Sequence, residues 1–325
     1  MKSLGLNFLI LSCGTRNKIV QYFKQELRGR GSVVATDCSR LAPALYEADR
    51  HYIVPRIDST DYLDVVLDIC DREQIRAVIS LIDPELSLLA KNRKAFEELG
   101  VTPVVCDQEV VETCFDKYQM YRFLTRNGFP TPRSYIDKEA FYEDLEAGRI
   151  EFPVFVKPIK GSASININKV TSKSEIEFLF ERHDDLMIQE FMNGTEIGAD
   201  MYIDMISGEP VAIFAKEKLK MRAGETDKAV SMKDKRLFDL LSLFVRTLGL
   251  QGIADIDIFR VNGDYYISEV NPRFGGGYPH AHECRVNAIS LLINNLNGYA
   301  NIPNIGDYDS DVYMMKFSEV VVFPK

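Results

Sequence analysis

The sequence has no cysteine pair at C-x-x-C spacing. Its six cysteines, Cys13, Cys38, Cys70, Cys106, Cys114 and Cys284, are scattered along the chain. That suggests neither a zinc knuckle nor a disulfide framework, and it points to a reducing, cytoplasmic setting. Long apolar runs are also missing. The stretch at residues 6–11 is far short of the about 20 residues a membrane-spanning helix needs, and Ser12, Cys13 and Gly14 follow it rather than a signal-peptide cleavage pattern. Positive charge is in deficit, with 39 Lys and Arg against 48 Asp and Glu for a net charge of −9. An acidic chain argues against a nucleic-acid sleeve but leaves room for a local basic pocket that holds phosphates. Histidine is scarce: His51, His183, His280 and His282 are too few and too dispersed to force a catalytic pair. There is no internal repeat and no low-complexity segment. What remains is an ordinary globular composition, 46% hydrophobic and 27% charged over 325 residues, enough for two or three domains.

The first hundred residues alternate strand and helix signals. An apolar run at 7–12 meets Gly14, and Ile19, Val20, Phe23 and Leu27 then fall on one face of a helix over 16–27. Strands are expected at 32–36, 75–82 and 102–105. Helices are expected over 61–70 and from Asp83-Pro84 to about Leu99, where Gly100 stops the second one. Apolar strands buried on both faces and alternating with helices mean a parallel α/β sheet. After about residue 110 the pattern changes. A helix over 117–127 ends at Gly128, and Phe129-Pro130-Thr131-Pro132 is a rigid extended connector. Strands then arrive in pairs, at 154–158, 165–169, 187–191, 195–203, 210–215, 252–260 and 264–270, with helices expected only over 174–181 and 235–248. Turns such as Asn262-Gly263-Asp264 mean antiparallel hairpins, so this second part is an α+β domain of a different kind.

Three segments carry chemistry. At the N-terminus, Gly14 follows a strand and opens a helix, and Asp37 ends the next strand. The run Cys13-Gly14-Thr15-Arg16-Asn17 lacks the glycines of a dinucleotide fingerprint, so a plain turn is the simpler reading. At Phe152-Pro153-Val154-Phe155-Val156-Lys157-Pro158, a lysine leaves the end of an apolar strand, and Lys160-Gly161-Ser162-Ala163-Ser164 forms a small-residue loop. Small residues let backbone N–H groups approach phosphate oxygens while the lysine adds a point charge. It is not a P-loop, and a hairpin tip with incidental lysines stays open as the alternative. The most informative segment joins Asp257 in one strand to Glu269 in the next. Across such a hairpin the two carboxylates can face each other, which is costly unless a cation lies between them. Asn271 and Arg273 follow at spacing two, on the same face. Two carboxylates and an amide oxygen suit Mg²⁺ rather than zinc. An exposed acidic hairpin is the alternative, weakened by the apolar strand around Glu269.

Lys157 with the loop at 160–164, the Gln189-Glu190-Phe191-Met192 strand and Glu269-Val270-Asn271-Pro272-Arg273 together resemble the ATP-grasp superfamily. The flavour is that of carbamoyl-phosphate-synthase-like ATP-grasp proteins with an N-terminal pre-ATP-grasp domain. Asp116-Lys117 at a helix start, followed by Gly128 to Pro132, matches the opening of the grasp region. The resemblance covers nearly the whole chain. It implies a Rossmann-like α/β pre-ATP-grasp domain at 1–112, an ATP-grasp N-terminal lobe at 113–186 and a C-terminal lobe at 187–325. It also implies ATP with Mg²⁺, or Mn²⁺ in its place. Lys117 and Lys157 would contact phosphates, and Lys160, Gly161, Ser162 and Ser164 would close over them. Glu190, Phe191 and Met192 would read adenine, and Glu196 would hold the ribose. Asp257, Glu269 and Asn271 would hold metal, and Arg273 would stabilise the transferring phosphoryl group. Arg222, in the polar stretch at 221–226, is carried over as a further phosphate contact. The loop has Ser162, Ala163 and Ser164 where many relatives carry glycines, and the first metal position is Asp257 where relatives carry Glu or Gln.

The implied activity is ligation of a small-molecule carboxylate through an acyl phosphate, with ADP and phosphate released and an amine as nucleophile. Phosphoryl transfer needs positioning and charge neutralisation rather than covalent help. The segment at 274–283 carries Gly275, Gly276 and Gly277, whose freedom of φ would let backbone N–H groups meet a substrate carboxylate beside Arg273. His280 and His282 stand at i, i+2, a minor candidate for metal ligands. Competing readings are a bicarbonate- or carbamate-phosphorylating enzyme, a non-catalytic ATP-binding regulator and a nicotinamide-dependent oxidoreductase. No nucleic acid and no membrane are expected as partners, and a homodimer is left open.

Overall fold

The computed structural model describes residues 5–161 and 167–322. Its first part is a five-stranded parallel sheet of β1 (Phe8–Leu11), β2 (Val33–Asp37), β3 (Arg50–Ile53), β4 (Ala77–Ser80) and β5 (Thr102–Pro103), in the order β3-β2-β1-β4-β5. β1 and β4 are buried along their whole length, as strands covered on both faces must be. The helix Asn17–Leu27 buries Ile19, Val20, Phe23 and Leu27 against this sheet. Strand order reverses at β1, which is flanked by β2 and β4. The segments that leave the carboxyl ends of β1 and β4 therefore open a crevice, and they carry Arg16 and Asp83.

The second part holds two antiparallel sheets. One has four strands, β6 (Ser134–Tyr135), β7 (Val154–Pro158), β8 (Asn168–Val170) and β9 (Leu186–Glu190), in the order β6-β9-β7-β8. The other has six: β10 (Thr195–Ile203), β11 (Pro210–Arg222), β12 (Glu225–Met232), β13 (Gly252–Val261), β14 (Asp264–Asn271) and β15 (Tyr313–Met315). Their order is β14-β13-β10-β11-β12-β15. The helix Lys235–Leu248 packs Leu237, Leu241, Phe244, Val245 and Leu248 into the core and ends at Gly249, whose φ of 79° is the left-handed cap a glycine supplies.

The expected helix from Asp83 to Leu99 is instead two, Asp83–Lys91 and Arg93–Glu98, because Asn92 leaves helical geometry and its side chain donates back to the Leu88 carbonyl at 2.9 Å. Helices Gln108–Phe115, Lys138–Glu146, Tyr278–Glu283 and Ala288–Leu296 were not expected, nor were the strands β3, β6, β12 and β15. β3 is mostly exposed and β12 mixes polar with apolar residues, so neither has the apolar signature of a buried strand.

Candidate active site

The hairpin β13–β14 is closed by Asn262 and Gly263, both at positive φ, the geometry of a tight two-residue turn. An uninterrupted ladder from that turn would set Asp257 opposite Ser268. Instead the register shifts between Asp257 and Ile258, so that Ile258 opposes Ile267 and Asp257 opposes Glu269. Ser268 is the extra residue of a β-bulge, and a one-residue slip moves every later side chain of β14 to the other face. The bulge is what brings Glu269 onto the face of Asp257 and sets Asn271 opposite Asp255.

Two lysines that the sequence reading did not single out, Lys218 and Lys216, add to Arg273 on this face. Lys218 is almost fully buried and donates to Asp257 at 2.6 Å and to Glu196 at 2.7 Å. Burial alone would lower its pKa, but Asp257, Glu196 and Asp255 more than reverse this and hold it charged. Lys216, two residues earlier, is ion-paired with Asp200 in the interior. Its alternation with Lys218 along β11 was the available signal, since residues at i and i+2 share a face. Asp255 is pushed up to about 7 by burial and by the like charges of Asp257 and Asp200, against the pull of Lys216 and Arg273.

Lys157 faces this hairpin from the four-stranded sheet. It is buried and donates to Gln189 at 2.7 Å. Its pKa is pushed down to about 8, chiefly by desolvation, while Glu269 and Asp257 act to raise it and Lys117 to lower it. Lys117 opens the helix Lys117–Arg126, which Asp116 caps, and its ammonium donates to the Gly161 carbonyl at the base of the expected phosphate loop. Asp116 also forms an isolated bridge with Lys160, which is exposed. Ser162 and Ser164 lie outside the described residues. Glu190 ends β9 with its N–H donated to the Arg133 carbonyl at 2.8 Å. Phe191 packs on Phe155 beneath the Lys169 ammonium, and Met192 is buried.

The three expected metal ligands therefore share one face, and an all-oxygen set is the chemistry a hard divalent cation takes. Asp257 is bound by Lys218, and the Asn271 Oδ1 accepts from Arg273 at 3.1 Å. Glu269 has no hydrogen bond or ion pair among the described residues. Among those residues no group of three or more His, Cys, Asp or Glu side chains converges on one point as a metal cage.

Arg273 is held tightly. It donates to Asp83 at 2.9 Å, from the N-terminal sheet's crevice, and to the Phe274 carbonyl at 3.1 Å, and it lies 3.9 Å from Asp255. Arg16, from the same crevice, pairs with Glu225 at 2.8 Å and feels Arg273 as a like charge that, after burial, helps lower its pKa. The three glycines that follow serve a purpose other than the expected one, since none adopts a positive φ. Charged side chains rest directly on them. A Cβ at Gly275 would lie 2.4 Å from Asp255 Cγ, one at Gly276 2.8 Å from Glu225 Cδ, and one at Gly277 2.7 Å from Lys216 Cε. Asp255 is short and cannot swing away, so Gly275→Ala is expected to destabilise the fold by about 1–3 kcal/mol, read as a lowered Tm. An unchanged Tm would mean that this contact relaxes at no cost.

His280 and His282 do not converge. His280 Nε2 donates to the Val312 carbonyl at 2.9 Å, whereas His282 stacks on Tyr22 at 3.7 Å between ring centroids. His280 Nδ1 is buried without a hydrogen bond, and desolvation followed by Lys216 pushes the His280 pKa down from 6.5 to about 4. Between those values the unfolded chain binds a proton that the folded chain refuses, so stability falls as pH drops from 6.5 toward 4. His280→Gln should flatten that part of a Tm-against-pH curve, and an unaltered curve would assign the loss to carboxylates instead.

A parallel α/β unit followed by two antiparallel sheets, with a lysine-bearing strand of one facing a carboxylate-bearing hairpin of the other, defines a two-sheet grasp architecture. The chain belongs to the ATP-grasp family: residues 114–277 match the family described as ATP-grasp domain, and residues 8–104 match the one described as the PylC-like N-terminal domain. Among curated proteins it is similar to a carbamoyl-phosphate synthase of Methanobrevibacter smithii, 27% identical over 89% of this chain and 80% of that one. A D-alanine–D-alanine ligase of Phocaeicola vulgatus is 32% identical, over only 33% of this chain and 35% of its own length. The arginine-specific carbamoyl phosphate synthase large chain of Geobacillus stearothermophilus is 25% identical, and this chain covers only 22% of its length. Among solved structures, the biotin carboxylase domain of Hydrogenobacter thermophilus 2-oxoglutarate carboxylase superposes with a TM-score of 0.74 at 17% identity, covering 96% of this chain and 74% of that one. An L-amino acid ligase from Bacillus licheniformis gives 0.68 at 20%, covering 93% and 76%. Identities this low speak for the fold alone. Among the described residues no helix is long and apolar enough to cross a membrane.

Proposed function

We propose that this chain is an ATP- and Mg²⁺-dependent ligase that activates a small-molecule carboxylate for attack by an amine. A carboxylate oxygen takes the γ-phosphoryl group and ADP leaves; the amine nitrogen then displaces phosphate from the acyl carbon. The observation that carries this reading is the pairing of Asp257 with Glu269 across the bulge, facing the buried Lys157 of the other sheet. Asp257, Glu269 and Asn271 would hold Mg²⁺, which would supply charge neutralisation at the phosphates. Asp257 would exchange Lys218 for the ion, and Lys218 would keep Glu196 as a partner.

Lys117 and Lys157, with Lys160 and the loop at 161–164, would hold the phosphates. Glu190, Phe191 and Met192 would line the adenine hinge, Glu196 would meet the ribose, and Arg273 the transferring group. In this reading residues 1–112 form a pre-ATP-grasp domain, 113–186 the first grasp lobe and 187–325 the second. The names of the relatives support ATP-dependent ligation or carboxylation as the chemistry class. A second reading, phosphorylation of bicarbonate or carbamate, draws on the relative matched over most of both chains, a carbamoyl-phosphate synthase.

The test is ADP release with a panel of small acids and bicarbonate, hydroxylamine being the trap for an activated acyl group. Hydroxamate formed together with ADP supports the ligase, bicarbonate-dependent ADP release without hydroxamate supports the second reading, and AMP as product overturns both.

A further inference from the structure

In the six-stranded sheet, Gly198 of β10 opposes Lys216 of β11 on one side and Asp257 of β13 on the other. Directly opposed residues share a face, so these three stand together, with Lys218 two residues beyond Lys216 on the same face. Gly198 leaves a gap in that face, and the stem of Lys218 lies across it. A Cβ at Gly198 would be 3.1 Å from Lys218 Cε and 3.2 Å from Lys216 Cε. Through this gap the almost fully buried Lys218 ammonium reaches Asp257 at 2.6 Å while also holding Glu196 at 2.7 Å. Glu269, the carboxylate opposed to Asp257, has no such partner among the described residues.

We infer that Lys218 is a resident counter-ion that shields Asp257 from divalent metal in the nucleotide-free chain, so that metal and nucleotide enter together. The inference rests on the ligase reading and adds how its metal site is regulated.

The identity of the two partners carries it. Glu196 is the carboxylate which the ligase reading gives to the ribose, and Asp257 is one which it gives to the metal. Lys218 ties them to each other. To accept a metal ion alone, Asp257 would have to give up Lys218. The ammonium, still anchored at Glu196, would then stand beside the ion as a like charge, where burial leaves little solvent to screen it. Nucleotide changes both sides of this balance. Its ribose hydroxyls compete for Glu196, and its phosphates offset the two cations. No other cation of β11 is placed to act for Lys218. Lys216 is ion-paired with Asp200 in the interior, and Arg222, expected from resemblance to touch phosphate, is paired with Asp227 at 3.3 Å.

The experiment is a titration of the full chain with Mn²⁺, followed by the paramagnetic resonance signal of the free ion. Without nucleotide the unmodified chain is expected not to saturate below ~1 mM. With ADP present it should take up Mn²⁺ beyond what ADP alone binds. Lys218→Met keeps the stem and removes the charge, and it should bind Mn²⁺ about ten-fold more tightly, or better, without nucleotide. Adding Glu269→Gln to it should abolish that gain, which locates the ion on this face. Because Lys218→Met leaves two carboxylates unpaired, Lys218→Met/Glu196→Gln is the second variant; it relieves one of them and should show the same gain. A salt bridge that merely ties strands together predicts no gain. Unchanged or weaker Mn²⁺ binding in either folded variant overturns the inference, as does a gain that survives Glu269→Gln. Saturation of the unmodified chain by Mn²⁺ alone below that limit also overturns it and needs no variant. Those results leave the ligase reading standing, since hydroxamate and ADP are read on the loaded enzyme. An unmodified chain that takes up no Mn²⁺ even with ADP overturns both.

Discussion

Glu269→Gln is expected to lower kcat by about 10²–10³-fold while leaving the fold intact. The substitution keeps the shape of a side chain that makes no hydrogen bond or ion pair among the described residues, so little packing is lost. What it removes is charge, in two places at once. It takes one of two opposed carboxylates from the face proposed to hold Mg²⁺, and it takes away a charge that helps keep Lys157 protonated. Lys157 already sits at about 8 through burial, so without Glu269 its pKa moves further down and less of it is charged near neutrality. The pH profile of kcat/KM should therefore lose activity at a lower pH on its alkaline limb than in the unmodified protein. Ser268→Ala is the matched control, since that hydroxyl makes no hydrogen bond among the described residues. Full activity in Glu269→Gln, with an unmoved alkaline limb, would mean that the opposed carboxylates are structural.

The two-part architecture was legible because its signals are local. Apolar runs alternating with amphipathic helices announce a parallel sheet, and Asn262-Gly263 between apolar strands announces a hairpin. The residues of the site were legible as types, but their arrangement was only partly so. A bulge at Ser268 has no composition signature, yet it decides which face Glu269 occupies. Lys218 was missed because its partners Asp257 and Glu196 lie on two other strands of the sheet, β13 and β10, a pairing that only the sheet order creates. Arg16 and Asp83 were missed for a related reason. Both leave the carboxyl ends of strands in the N-terminal sheet, and they meet Glu225 and Arg273 only because that sheet's crevice opens toward the second part. The glycines at 275–277 show the reverse. Their presence was plain, but backbone freedom was the wrong reason, since what they provide is room for Asp255, Glu225 and Lys216.

Arg273→Ala is expected to abolish ligation and to lower stability as well, and the two losses can be separated. The guanidinium is about nine-tenths buried and is shared among Asp83, Asn271 and the Phe274 carbonyl, with Asp255 close by. Asp83 is equally buried, and removing its partner leaves an uncompensated carboxylate, a change that typically costs about 3–5 kcal/mol. A bare loss of activity would therefore not tell a phosphoryl contact from a broken interface. The double variant Arg273→Ala/Asp83→Asn tells them apart. It removes the stranded charge, so its Tm should return most of the way to that of the unmodified protein. If Arg273 meets the transferring phosphoryl group, activity stays lost in the double variant at full folded yield, because among the described residues no other guanidinium hydrogen-bonds Asn271. Arg16 is not free to replace it, being paired with Glu225 at 2.8 Å. Recovery of turnover together with Tm would instead make Arg273 a tie between the N-terminal sheet and β14, and the charge on the transferring group would then fall to Lys117 and Lys157.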